Sequence, residues 1–289
     1  MNKTRILTGI TLALLIVLSF LFLPLNAITL LLSFIVSSSA WEFYKLRFSS
    51  EIAIAISIVL FFGLIYLSFG TGLKLSLSSI GLLAWLVIGF LILGFPHNKN
   101  ILQNKYFWVL SGFFIHIPFW TSIFLILNFE GYFLGNIGLE LPSRYVLILL
   151  ITVSSLMDVL AYFGGKKYGK RKFLSNISPN KTLEGFLIAL IGTPLLVMPF
   201  LALIFDFNFI KFFILILLVS MFSVLGDASA SLFKRIAGVK DSSNLLPGHG
   251  GILDRIDSHL AAAPSFVVLV YLMGLGLSLI HISEPTRPY

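Results

Sequence analysis

An all-α fold, that of a polytopic integral membrane protein with about nine transmembrane helices, is predicted by three features of this sequence. Apolar runs of spanning length recur along the chain, charges are too few to clothe a water-soluble surface, and positive charge alternates from loop to loop. Of 289 residues, 58% are hydrophobic and 11% charged, with a mean hydropathy of +1.01. A soluble domain carries roughly 45–50% apolar and about 25% charged residues. Composition therefore excludes an ordinary soluble domain and a disordered chain. With Cys 0 it also excludes a disulfide scaffold, a thiolate metal site and a cysteine nucleophile.

A spanning helix needs about 20 mostly apolar residues. Nine such runs lie near 6–23, 26–43, 52–69, 75–95, 106–129, 143–163, 185–205, 209–230 and 258–280. The first follows Lys3 and Arg5 in the manner of a secretion signal, but its apolar stretch is long for one and leads almost directly into the second, so it reads as an uncleaved span. The second ends in Trp41-Glu42-Phe43-Tyr44, where Glu42 reads as an interfacial carboxylate near Lys45 or Arg47. The fifth contains His116, which reads as a packed interhelical histidine, because one imidazole without nearby carboxylates is a poor metal site.

Cytoplasmic loops are enriched in Lys and Arg. With the N-terminus inside, the loops on that side collect 16 of the 20 basic residues, leaving Lys74, Arg144, Lys211 and Arg287 on the other. The net charge of +8 is thus mainly a topology signal, with the N-terminus and polar loops expected on the cytoplasmic side; the expected location is the cell (inner) membrane. Nucleic acid is not an expected partner, since no basic face is left over to hold a duplex. The chain divides into an N-terminal transmembrane region, 1–142, of about five spans and little polar chemistry, and a C-terminal catalytic transmembrane region, 143–280, of about four. The tail, 281–289, reads as non-native or disordered.

Two polar cytoplasmic loops, about 164–184 and 234–257, carry the chemistry. Six of the 12 acidic residues lie in or beside them: Asp158, Glu184, Asp227, Asp241, Asp254 and Asp257. An ionisable group at the end of an apolar helix costs several kcal/mol unless it meets a polar cavity or a counter-ion, which marks Asp158 and Asp227 as functional candidates. Asp158 and Tyr162 are four apart and share a helix face. In Ser178-Pro179-Asn180-Lys181-Thr182-Leu183-Glu184-Gly185, either Ser178 or Thr182 can cap the next helix, with Glu184 in its first turn, where a negative charge suits the dipole. The lysines and arginine from Lys166 to Lys172 read individually as topology and anionic-lipid anchors.

The second loop is denser. Asp227, Ser231 and Lys234 fall at i, i+4 and i+7, a single helical stripe of carboxylate, hydroxyl and ammonium. Gly248-His249-Gly250-Gly251 lacks side chains at three positions, so backbone amides can approach phosphate oxygens where the next helix starts. Asp254 and Asp257 are three apart on that helix, with Arg255 between them. Together with Asp227 they offer hard oxygen ligands suited to Mg²⁺ rather than zinc.

The run Ser231-Leu232-Phe233-Lys234-Arg235, then Lys240-Asp241, then Leu246 to Asp257 resembles the signature of the phosphatidate cytidylyltransferase, or CDP-diacylglycerol synthase, family over 27 positions without a gap. The first loop resembles that family's upstream Ser-Pro-x-Lys-Thr-x-Glu-Gly pattern, and Trp41 to Tyr44 resembles its N-terminal aromatic element. The resemblance implies Mg²⁺-dependent reaction of CTP with phosphatidate in a polytopic homodimer, with room for a second, monovalent cation. It implies Asp227, Asp254 and Asp257 as metal ligands. Lys234, Arg235, Lys240, Asp241, His249 and Arg255 become the catalytic set. Asp158, Tyr162, Ser178, Lys181, Thr182, Glu184, Ser231, Gly250 and Gly251 become substrate-binding residues. One departure is Ala230, where the family often carries an acid; another is the tail from Ser283, which has no counterpart. Transfer to a different lipid phosphate, ether- or isoprenoid-linked, shares the same motifs. A transporter would instead place its acids on broken helices near the midplane.

Overall fold

Lipid offers backbone N–H and C=O groups no partner, so apolar runs of this length satisfy them internally by forming helices. The structure, a computed structural model, describes residues 3–70, 72–131, 133–134, 139–246, 248 and 250–274. In order its helices are α1 (Lys3–Phe22), α2 (Leu25–Lys45), α3 (Ser50–Phe69), α4 (Lys74–Leu93), α5 (Lys99–Leu102), α6 (Lys105–Leu127), α7 (Ser143–Tyr168), α8 (Leu183–Ala202), α9 (Phe209–Ile236) and α10 (Leu253–Leu272). Among the described residues there is no strand, only isolated bridges such as Lys172 with Thr182.

Each of the nine apolar runs coincides with one long helix, and the short α5 lies in the loop before α6. Among the described residues, α2, α3, α4, α6, α7, α8 and α9 are long and apolar enough to cross a membrane, and the protein is multi-pass. The expectation of about nine spans adds α1 and α10 to these. The tail 281–289 lies outside the described residues.

The chain turns where the sequence supplies breakers and caps. Pro24 separates α1 from α2 and Pro142 precedes α7, both in extended backbone that a proline ring favours. Asn104, Thr182 and Asn208 cap α6, α8 and α9, each side-chain oxygen accepting a backbone N–H of the first turn.

Burial separates two kinds of helix. α3 and α4 turn Phe62, Tyr66, Phe69, Phe90 and Leu93 outward, where lipid replaces water as their neighbour. α6 and α10 are enclosed: Trp108, His116, Trp120 and the run Ala261 to Ala263 are buried. The alanines leave room for neighbours, and α10 packs against α9, α4, α6 and α2. One hydrophobic core accordingly runs through both regions of the chain. As expected, His116 is interhelical, its Nδ1 2.8 Å from the Gly112 carbonyl and its Nε2 3.2 Å from Ser39 Oγ.

Three helices outrun their apolar stretches at one end of the bundle. α7 continues to Tyr168, α9 continues to Ile236, and α10 begins at Leu253, five residues before the apolar run. Residues expected near loops therefore stand on rigid helix.

Candidate active site

α7 contributes Asp158 and Tyr162, α9 contributes Asp227, α10 contributes Asp254 and Asp257, and the α7–α8 loop contributes Lys181 and Thr182. These seven, with Lys166 and Asn180 among others, line a cavity of about 510 Å³. Glycine allows the convergence at Gly226, where a β-carbon would lie 2.3 Å from the Asp257 carbonyl oxygen. α9 thus runs against α10 beside Asp227 and Asp257, a separation that any side chain would widen.

The α7–α8 loop is folded back on itself, which fixes Lys181. The Glu184 carboxylate accepts the backbone N–H of Lys170 at 2.9 Å and of Arg171 at 3.1 Å. Lys172 Nζ donates to the Pro179 carbonyl at 2.7 Å, and the Phe173 N–H to the Lys181 carbonyl at 2.9 Å. Arg235 Nε ties the loop to α9 through the Ile177 carbonyl, 3.3 Å away. Of the two cap candidates, Thr182 takes the role, accepting the Gly185 N–H at 3.2 Å. The Ser178 carbonyl accepts the Lys181 N–H at 3.2 Å.

Two lysine–aspartate ion pairs organise the charge. Lys181 pairs with Asp227, whose other oxygen lies 3.5 Å from Ser231 Oγ. Burial alone would push the Lys181 pKa down, but the carboxylates of Asp227, Asp158 and Asp257 hold it above the ordinary lysine value. Lys234 pairs instead with Asp254. Asp254 Oδ2 also accepts the Ser242 N–H at 2.9 Å, the Ser242 hydroxyl at 3.0 Å and the Gly251 N–H at 3.1 Å. The stripe of Asp227, Ser231 and Lys234 thus exists on α9, with its ends serving different partners.

The Gly-rich segment closes on itself: the Leu246 N–H meets the Gly250 carbonyl at 2.9 Å. Gly250 has φ +78°, in the left-handed region that favours glycine. His249 lies outside the described residues. Arg235, Lys240, Asp241 and Arg255 do not line the cavity. Ala230, the departure from the signature, is buried.

One residue that sequence reasoning placed elsewhere joins the site. Glu42 is not an interfacial partner of Lys45 or Arg47: it is fully buried, and both bases are engaged away from it. Lys45 Nζ lies 4.8 Å from the centre of the Trp41 ring, and Arg47 donates to the Gln103 carbonyl at 2.6 Å. Glu42 accepts instead from Ser242, Ser243, Ile252 and Leu253.

The donor chemistry suits a hard divalent cation, since Asp158, Asp227 and Asp257 face one cavity without thiolates. Among the described residues no three His, Asp or Glu side chains are gathered at ligating distance. The Lys181 ammonium supplies the positive charge among these carboxylates. Asp227 is engaged by Lys181, and Asp254 by Lys234, Ser242 and Gly251.

Clustered carboxylates and ammonium groups at the ends of long apolar helices make a charged cavity in a multi-pass membrane protein. Residues 3–273 match the Cytidylyltransferase family, and the chain belongs to it; it is a nucleotidyltransferase. Over 306 aligned residues it is 32% identical to a phosphatidate cytidylyltransferase of Pseudomonas aeruginosa, covering 96% of this chain and 99% of that protein. It is 38% identical over 188 residues to a phosphatidate cytidylyltransferase of Haemophilus influenzae, covering 63% of this chain and 64% of that protein. A third, from Staphylococcus saprophyticus, is 46% identical over 130 residues, covering 44% of this chain and 49% of that protein.

Proposed function

We propose that this enzyme transfers the cytidylyl group of CTP to phosphatidate, giving CDP-diacylglycerol and pyrophosphate, at the cytoplasmic face of a cell membrane. The observation that carries the reading is the cavity shared by Lys181, Asp158, Asp227 and Asp257 at the helix ends, where a water-soluble nucleotide and a bilayer-bound acceptor would meet. The relatives' names supply the two substrates, and the bias of 16 among 20 basic residues toward this end supports the orientation.

A phosphate oxygen of phosphatidate attacks the α-phosphorus of CTP; that P–O bond forms while the bond to the bridging oxygen breaks, and pyrophosphate leaves. The acceptor is already an anion at neutral pH, so no side chain has to serve as nucleophile or base. Catalysis then consists of bringing two polyanions together and stabilising charge. Lys181 would neutralise a phosphate inside the cavity, whose wall it shares with Asn180 and Thr182. A bound Mg²⁺, held by Asp158, Asp227 and Asp257, would screen the phosphates from one another. Purified protein given labelled CTP, phosphatidate and Mg²⁺ should release CDP-diacylglycerol and pyrophosphate in equal amounts. Absence of both products would sink the reading, and an ether-linked phosphate used faster would move it to another acceptor.

A further inference from the structure

We infer that Glu42, on the second helix and about 200 residues from the loop it contacts, is a positioning residue for the active site, acting through Ser242 on Asp254. The inference rests on the reading above for its kinetic consequence and on geometry for its mechanism.

α10 starts with Ile252 at its cap position, and Ile252 has no side-chain oxygen to receive the first N–H groups. Glu42 supplies the acceptor from another helix. Its Oε1 takes the Ile252 N–H at 3.0 Å and the Ser243 hydroxyl at 2.6 Å; its Oε2 takes the Leu253 N–H at 2.7 Å and the Ser242 hydroxyl at 2.9 Å. A carboxylate buried without a cation is costly. Four donors and the positive end of a helix dipole offset that cost here.

Ser242 turns a cap into a link. Its single hydroxyl lies 2.9 Å from Glu42 Oε2 and 3.0 Å from Asp254 Oδ2, so one proton serves two carboxylates. Asp254 in turn holds Lys234 and borders the cavity. Gly251 makes this approach feasible, since a β-carbon there would fall 2.0 Å from Ser242 Oγ and 2.3 Å from Glu42 Oε2. Moving Glu42 therefore moves Ser242, the start of α10 and Asp254 together.

Ser242 and Ser243 separate positioning from mere anchoring. Both hydroxyls bond Glu42, and of the two only Ser242 also bonds Asp254. Ser242→Ala in lipid nanodiscs should lower kcat about tenfold or more, as expected when reacting groups shift by a fraction of an ångström. KM for CTP should stay close to the parent's, and the melting temperature should fall about as far as in Ser243→Ala, which also removes one hydroxyl donor from Glu42. Ser243→Ala should keep most of its rate. Glu42→Gln sets an amide NH₂ against a backbone donor and should lower kcat further, and adding Ser242→Ala to it should cost little more. Equal losses of rate in the two serine variants, or a normal rate in Ser242→Ala, would overturn the inference whether or not Glu42→Gln folds. Amide hydrogen exchange at Gly251, Ile252 and Leu253 needs no substrate. Faster exchange in Glu42→Gln supports the link and unchanged exchange overturns it, even if the parent protein proves inactive on phosphatidate.

Discussion

The two lysine–aspartate pairs of the site look alike and are built for different work. In the Lys181–Asp227 pair the side chains keep 27% and 25% of their exposure; in the Lys234–Asp254 pair they keep 10% and 7%. Lys181 comes from a loop strapped down by backbone hydrogen bonds, and its partner carboxylate, with Ser231 on its other oxygen, lines the cavity. Lys234 and Asp254 both stand on helices, and Asp254 receives three further donors from Ser242 and Gly251. The open pair stays partly accessible at the cavity wall. The closed pair is framework, holding α9 to α10 and to the Gly-rich segment.

Asp254→Asn should have the largest effect, since it acts on both activity and stability. It leaves the Lys234 ammonium buried without its counter-charge, and breaking a buried pair from one side costs about 3–5 kcal/mol. A thermal melt in detergent should fall sharply, together with loss of turnover; a melt equal to the parent's would show that the two pairs are not different in kind. Asp227→Asn should come second. Turnover should drop by about 10²–10³-fold, the scale of losing one group that stabilises developing charge, while the melt stays near the parent's because the pair is partly open to solvent. A destabilised Asp227→Asn would erase the distinction from the other direction.

Much of this arrangement is legible in the sequence, and the limits have physical causes. Each of the nine apolar runs falls on a long helix among the described residues, seven of them apolar enough to span, because local composition decides where a membrane helix forms. The stripe at Asp227, Ser231 and Lys234 foretells that α9 continues past its apolar run, since a helical spacing of polar groups needs a helix to carry it. Partner choice is not legible. Lys234 is on the same stripe as Asp227 but pairs with Asp254, because the close approach at Gly226 brings α10 within reach. Glu42 misleads for a related reason: Lys45 at i+3 offers a local explanation, and the true donors lie about 200 residues away. Neighbouring Trp41, Phe43 and Tyr44 add no warning, since Trp and Tyr are enriched at membrane interfaces and suit an interfacial acid. Asn180 and Lys166 give no signal of their own, because helix starting and lipid anchoring already account for their neighbours.

Smaller effects test the open pair itself. Lys181→Met removes the ammonium that stands among Asp227, Asp158 and Asp257. If that ammonium meets the nucleotide, KM for CTP should rise about ten- to a hundredfold, the range of one charge-assisted contact, and the parent's KM should rise with ionic strength more steeply than the variant's. Parallel salt dependence would assign Lys181 to holding Asp227 rather than to substrate.

Glu184→Gln is the smallest change and the sharpest test of what holds the loop. The resemblance to the cytidylyltransferase signature implies that Glu184 binds substrate, whereas its carboxylate is engaged by the N–H groups of Lys170 and Arg171 and does not line the cavity. A glutamine keeps one oxygen, and the N–H groups of Lys170 and Arg171 both reach the same carboxylate oxygen, at 2.9 and 3.1 Å. A strap of this kind should therefore survive, with KM for CTP changing by less than about threefold, the loss of a fraction of one hydrogen bond. A change as large as that of Lys181→Met would mean that the loop reorganises around substrate until Glu184 touches it. The open pair would then be one part of a wider closing movement, and the contrast with the closed pair would lie in motion as well as in exposure.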